Sequence, residues 1–77
     1  MSIKVLYFAS LREEIGRGSD TIDVQESLQI SQLWKKVTGQ NSMPDTLLAA
    51  INQEYTGSDT LVNDGDEVAF FPPVTGG

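Results

Sequence analysis

Neither cysteine nor histidine occurs in these 77 residues. Their absence excludes disulfide staples, thiolate and imidazole metal sites, Cys or His nucleophiles, and Ser-His triads. Positive charge is scarce as well: five Lys and Arg stand against eleven Asp and Glu, a formal net charge of −6. Phosphate backbones are held by clustered Lys and Arg, so nucleic acid is not an expected partner. The negative excess instead suits steering onto a basic protein surface. No apolar run nears the roughly 20 residues that a bilayer-spanning helix needs. Strand-like residues begin almost at Met1, without a signal peptide ahead of them. The expectation is a cytoplasmic chain with no membrane partner. Its length suits one small domain, whose core rarely supplies more than about 3–5 kcal/mol without staples.

What the chain does have is concentrated at its end, Phe70-Phe71-Pro72-Pro73-Val74-Thr75-Gly76-Gly77. Elsewhere a glycine pair makes a turn, because glycine tolerates positive φ. A turn needs chain after it, and no residue follows Gly77 in the sequence. The remaining reading of Gly76-Gly77 is steric thinness ahead of a free carboxylate. Pro72 and Pro73 stiffen the approach and keep it from pairing as a central strand. Pro72 also biases Phe71 toward extended geometry. Six residues from Pro72 onward reach roughly 20 Å when fully extended, at about 3.3–3.6 Å each. That length is enough to thread a buried site on another protein. The expected reactive group is the carboxylate of Gly77, with Gly76 beside it.

Along the chain, residues 3–8 are β-branched and aromatic and read as a strand. Ile3, Val5 and Tyr7 share one face; Lys4, Leu6 and Phe8 share the other. Ser10-Leu11-Arg12-Glu13 has the form of a capping box, with Ser10 as N-cap, and Gly16 closes the short helix. Residues 16–20 read as a turn and residues 21–24 as an alternating strand with Ile22 and Val24 inward. The clearest helix follows, because Ile30, Leu33, Trp34 and Val37 fall on one stripe. Ser31 is its expected cap, Lys35 and Lys36 suit its C-terminal end, and Gly39 stops it. Trp34 is expected in the core. Residues 40–45 read as loop, 47–51 as a buried strand, and 54–60 as a polar loop. Asn63-Asp64-Gly65-Asp66 is a turn rather than a metal loop, since it lacks the spacing and terminal Glu of an EF-hand. Residues 67–71 form the last strand, with Val68 and Phe70 on one face and Ala69 and Phe71 on the other.

This order predicts an α+β fold: a mixed sheet, one principal helix across one face, and a flexible C-terminal tail. The domain is expected over 1–71 and the extended tail over 72–77. With the first and last strands adjacent at the centre, Leu6, Phe8, Ala69 and Phe71 gather on the face away from the helix. An exposed apolar patch of that kind marks a partner surface. The competing arrangement is a satellite core, with the 54–62 segment folded over those residues.

The residues resemble a known family. Val5-Leu6-Tyr7-Phe8-Ala9 with Leu11-Arg12-Glu13 and Gly16, then Leu48-Ala49-Ala50-Ile51-Asn52-Gln53, then the aromatic–diproline–diglycine ending, are similar to the small, sulfur-carrier subunits of molybdopterin synthases. Those are ubiquitin-like β-grasp proteins, and the resemblance covers the whole chain. It implies a non-catalytic sulfur donor for molybdenum cofactor biosynthesis. A ubiquitin-activating-like enzyme uses ATP to adenylate the Gly77 carboxylate. A sulfur donor, such as a cysteine desulfurase or rhodanese, then leaves a thiocarboxylate. The carrier binds no cofactor or metal of its own. It inserts the tail (Pro72, Pro73, Val74, Thr75, then Gly76 and Gly77) into a large subunit, with Phe71 as a further partner contact, within a heterotetramer of two small and two large subunits. The catalytic residues belong to that large subunit. A thiamine-pathway sulfur carrier, a ubiquitin-like protein modifier and a purely structural interaction domain remain alternative readings.

Overall fold

The computed structural model describes residues 2–72; Met1 and the tail residues Pro73, Val74, Thr75, Gly76 and Gly77 lie outside the described residues. The elements run β1 (Ser2–Tyr7), α1 (Ser10–Ile15), β2 (Ser19–Asp23), β3 (Leu28–Gln29), α2 (Ile30–Thr38), β4 (Leu48–Ile51), β5 (Glu54–Thr56), β6 (Leu61–Val62) and β7 (Glu67–Phe71). Five strands form one mixed sheet in the order β2-β1-β7-β4-β5, and β3 pairs with β6 in a small second sheet. The first and last strands lie side by side and parallel, with Val5 opposite Val68 and Tyr7 opposite Phe70. Every other pairing is antiparallel.

Period-2 alternation decides which residues enter the core. Ile3, Val5 and Tyr7 of β1 and Val68 and Phe70 of β7 are buried against Ile30, Leu33 and Trp34 of α2. Leu11, Leu47, Ala49 and Val62 complete the cluster. Trp34 meets Phe70 edge-on, with centroids 5.1 Å apart, and Tyr7 stacks beside Phe70 at 6.5 Å. Both rings' contacts lie in the range where aromatic pairs are favourable. Among the described residues, no helix is long and apolar enough to cross a membrane.

Both expected helix stops are present. Gly16 and Gly39 adopt left-handed φ of 87° and 74°, and their N–H groups donate to the carbonyls of Arg12 and Lys35. Both expected starts need correction. Ser10 is the first helical residue rather than the cap of α1; Ala9 holds the N-cap place at φ 53°, and no side chain caps it. The β1–β7 pairing runs on until the Phe8 N–H donates to the Phe70 carbonyl, so the chain turns one residue earlier than the motif suggests. Ser31 likewise lies in the first turn of α2. Gln29 is its N-cap, and the Gln29 N–H donates to Oε1 of Gln32 at 2.8 Å. Gln29 is already held in β3, opposite Leu61 of β6.

Strand β2 starts two residues before its expected position and ends at Asp23, because the antiparallel register with β1 runs from Ser19 opposite Leu6 to Asp23 opposite Ser2. Strands β3, β5 and β6 are additions to the sequence-based plan. The expected 63–66 turn is borne out. The Asp66 N–H donates to the Asn63 carbonyl, the Asn63 N–H donates to Asp66 Oδ2 at 2.8 Å, and Gly65 sits at φ 83°. Asp64 accepts from the Ser2 N–H at 2.7 Å. The carboxylates of this turn thus serve backbone donors and, at Asp66 Oδ1, the Asn52 side-chain amide.

One polar network ties the β1–β2 connection to the end of α2. The Tyr7 hydroxyl donates to Asp20 Oδ2 at 2.8 Å, and Arg17 donates to the same oxygen through Nε and to the Val37 carbonyl through Nη2 at 2.9 Å. Burial, followed by donation to the Asp20 carboxylate, pushes the Tyr7 phenol well above its ordinary value of about 10. Burial alone would raise Asp20, but donation from Tyr7 and Arg17 outweighs it and holds the carboxyl below its usual range. The two signs differ. The Tyr7 contribution is complete below about pH 10 and is lost as pH rises through the gap between its unfolded and folded values; that of Asp20 is lost as pH falls. Tyr7→Phe is therefore expected to cost about 1.5–3 kcal/mol at neutral pH, as a hydrogen bond to a charged group. The same variant lacks the parent's extra loss of stability above about pH 10. Urea midpoints from pH 7 to 11 check this, and parallel curves for parent and variant would assign the phenol no linkage.

Candidate functional site

On the face away from α2, the register builds one continuous row across four strands. Leu6 of β1 stands opposite Ala69 of β7, Ala69 opposite Ala50 of β4, and Ala50 opposite Tyr55 of β5. The two alanines in the middle are short, and the residues around them are large. Phe71 pairs with Leu48 one place along, and Phe8 lies just past the end of β1. The result is a groove of about 350 Å³ with Leu6, Ala50 and Ala69 as its floor and Phe8, Phe71 and Tyr55 as its walls. Gln53 and Glu67 form its polar rim. The rings support one another edge-to-face: Phe8 to Phe71 at 6.4 Å and 74°, Tyr55 to Phe71 at 5.4 Å and 67°. Such contacts favour a fixed wall over freely rotating side chains.

The sequence places four residues in this patch, and all four are there. Leu6, Ala69 and Phe71 are half-buried, and Phe8 remains 48% exposed. Pro72, half-buried, follows Phe71 directly. The remaining expected site residues, Pro73, Val74, Thr75, Gly76 and Gly77, fall outside the described residues. The satellite-core arrangement does not occur. Residues 54–56 extend the sheet edge as β5 instead of folding over the patch, leaving Tyr55 74% exposed.

Tyr55 is the wall residue that sequence reasoning misses. It lies in a short polar stretch with no apolar alternation. A usable signal is present in Asn52-Gln53 read as a two-residue hairpin loop, since that register sets Tyr55 opposite Ala50. Electrostatics at the rim are mild. Lys4 Nζ lies 3.9 Å from Glu67 Oε2, a partly exposed cross-strand pair of β1 and β7. Among the described residues, no group of three or more Asp, Glu, His or Cys is placed to hold a metal ion. The chemistry this face supports is association: an apolar, aromatic-walled depression at the root of the C-terminal segment.

The sequence profile of the ThiS family matches residues 5–77 of this chain. The chain is 43% identical over 82 aligned positions to the molybdopterin synthase sulfur carrier subunit of Escherichia coli (strain K12), covering 97% of this chain and 99% of that protein. Its fold is similar to the crystal structure of SAMP1 from Haloferax volcanii, with a TM-score of 0.80, 24% identity and full coverage of both chains. It is also similar to a chain in the protein–protein complex of subunits 1 and 2 of molybdopterin-converting factor from Helicobacter pylori 26695, with a TM-score of 0.64, 21% identity and full coverage of both chains. These neighbours share the ubiquitin-like β-grasp plan of a mixed sheet with one main helix.

Proposed function

Because the chain belongs to the ThiS family, we propose that it is the sulfur-carrier subunit of a molybdopterin synthase and acts through the carboxylate of Gly77. The observation that carries this reading is the end-to-end likeness to a protein named for that role, with a family match that runs through Gly77 itself. A carboxylate is a poor electrophile because its leaving group would be oxide. The adenylating partner uses ATP to join the Gly77 carboxylate oxygen to the α-phosphorus, expelling pyrophosphate. The terminal sulfur of a donor persulfide then adds to the acyl carbon and expels AMP, and a thiol reductant cleaves the resulting acyl disulfide to leave a thiocarboxylate and the donor's thiol. That sulfur attacks the pterin precursor of the dithiolene, displacing an oxygen leaving group to give a thioester. Water then cleaves the acyl–sulfur bond, so that the sulfur stays on the precursor and Gly77 returns as a carboxylate. Gly76 and Gly77 add no Cβ on the way into either partner's site. ATP, metal and acid–base groups belong to the partners, which fits a chain without Cys or His.

Intact mass spectrometry of the protein purified from its native host tests the chemistry. The expected spectrum contains a form in which one terminal oxygen is replaced by sulfur. Only bare carboxylate, together with forms joined to target lysines, would overturn the reading in favour of a protein modifier.

The groove is the proposed docking face for the large subunit. Its aromatic walls adjoin the root of the tail, so one partner can hold both. The net charge of −6 favours a basic surface on that partner. Phe71 is shared by groove and tail, and aromatic anchors at such centres often cost about 2 kcal/mol or more on truncation. Phe71→Ala is expected to weaken binding to the large subunit roughly thirtyfold, since about 1.4 kcal/mol is tenfold. Its urea midpoint is expected to change little. Lost stability with intact affinity would return Phe71 to the fold and leave the tail as the sole binding element.

A further inference from the structure

The loop between β4 and β5 consists of Asn52 and Gln53, both at positive φ, 51° and 73°. A two-residue hairpin loop with both central residues at positive φ favours asparagine first and glycine second. Asn52 meets that rule, and its side chain serves the fold as well. Its Nδ2 donates to Asp66 Oδ1 at 3.0 Å, and its Oδ1 accepts from the Glu67 N–H at 3.0 Å. The Asn52 N–H adds a third tie, to the Glu67 carbonyl at 2.8 Å. The hairpin tip is thus clamped to the start of β7.

Gln53 breaks the rule. At Gly16, Gly39 and Gly65 this chain meets positive φ with glycine, where an added Cβ would enter open space and only the backbone angle matters. At position 53 it carries a long amide instead, in a conformation that L side chains rarely adopt. Among the described residues that amide makes no hydrogen bond in the fold. It lies on the rim of the groove, beside Glu67 and next to the Ala50 and Ala69 floor. A residue at positive φ whose side chain makes no hydrogen bond among the described residues, on a clamped backbone beside an apolar depression, points to recognition.

We infer that Gln53 is a positioning contact for docking. Its amide, offering both a donor and an acceptor, pairs with a main-chain peptide group of the partner segment whose apolar side chain seats between Phe8, Phe71 and Tyr55. This inference rests on the groove being the docking face for the large synthase subunit. The Asn52 clamp fixes the backbone from which the amide extends, so binding has to order only the Gln53 side chain.

Titrations of the purified large subunit with the full-length chain and its Gln53→Gly, Gln53→Glu and Phe71→Ala variants test it, beside urea midpoints for each. Gln53→Gly removes the amide and relaxes the backbone; Gln53→Glu keeps the backbone and removes the amide donor. The expected result is a loss of affinity of about three- to tenfold for both, the size of one hydrogen bond. The Gly variant should have a midpoint no lower than the parent's and the Glu variant one close to it. Parent-like affinity of both Gln53 variants, with weakened Phe71→Ala, would overturn this contact and leave the docking face standing. A loss confined to Gln53→Gly and accompanied by a lower midpoint would overturn it too, making Gln53 a turn residue. Parent-like affinity of Phe71→Ala would remove the docking face and this contact together.

Discussion

Deleting Gly77, or adding one residue after it, is expected to reduce sulfur transfer to background while the melting curve stays that of the parent. The two halves of this result have different physical origins. Residues 67–71 already close the sheet, and Pro72 lacks the N–H that a further ladder bond would need. A change six or more residues beyond that strand is expected within about ±0.5 kcal/mol of parent stability. The chemistry has no such tolerance. Deletion presents Gly76 as the acyl group, about 3.3–3.6 Å short of the reacting position in an extended tail. A misplacement of even about 1 Å can cost 100-fold in rate. An added residue converts the Gly77 carboxyl into an unreactive amide and puts a Cβ-bearing carboxylate in its place. The check is molybdopterin formation in a reconstituted system of adenylating enzyme, sulfur source and large subunit, with the mass of each variant followed to detect trimming. Product at the parent rate from an untrimmed variant would end the terminal-carboxylate mechanism.

Trp34→Ala is expected to unfold most of the protein. The indole is 2% exposed and packs edge-on to Phe70, at the middle of the layer between α2 and the sheet. Large-to-small changes of this kind cost about 3–5 kcal/mol through lost transfer energy and the cavity left behind. A domain of this size rarely holds more than about 3–5 kcal/mol in total. Trp34→Phe separates volume from polarity. Among the described residues the Trp34 indole N–H has no hydrogen-bond partner, so phenylalanine removes an unsatisfied buried donor together with part of the ring. Its cost is expected to be below half that of the alanine variant. Far-ultraviolet circular dichroism and urea titration of both variants check the pair. A native-like melt for Trp34→Ala would contradict the packing of α2 described here.

Neither result depends on residues that were hard to read, and the reason is physical. The α2 stripe of Ile30, Leu33 and Trp34 and the alternation in β1 and β7 repeat with the period of their elements, because one side of each must leave water. The stops at Gly16 and Gly39 are legible because left-handed φ favours glycine. Opposite faces of β1 and β7 give Leu6, Phe8, Ala69 and Phe71 as a second apolar surface, and the parallel β1–β7 pairing brings those residues together. The Gly76-Gly77 ending, outside the described residues, is a matter of sequence alone.

The tertiary structure decided what depends on a neighbour. Strands β3 and β6, two residues each, exist because they pair with one another, and no hydrophobic period fits in so short a span. Strand β5 is polar and exposed at the sheet edge, so its ladder bonds to β4 hold it rather than burial of its side chains. That register carries Tyr55 to the groove wall and Gln53 to its rim. The helix starts moved for a related reason: Ala9 and Gln29 stand at the N-caps because the preceding strands end there, and the capping motif at Ser10 yields to the β1–β7 ladder. Local chemistry determined the elements that bury a face of their own. Pairing alone determined β3, β5 and β6, and β5 completes the groove.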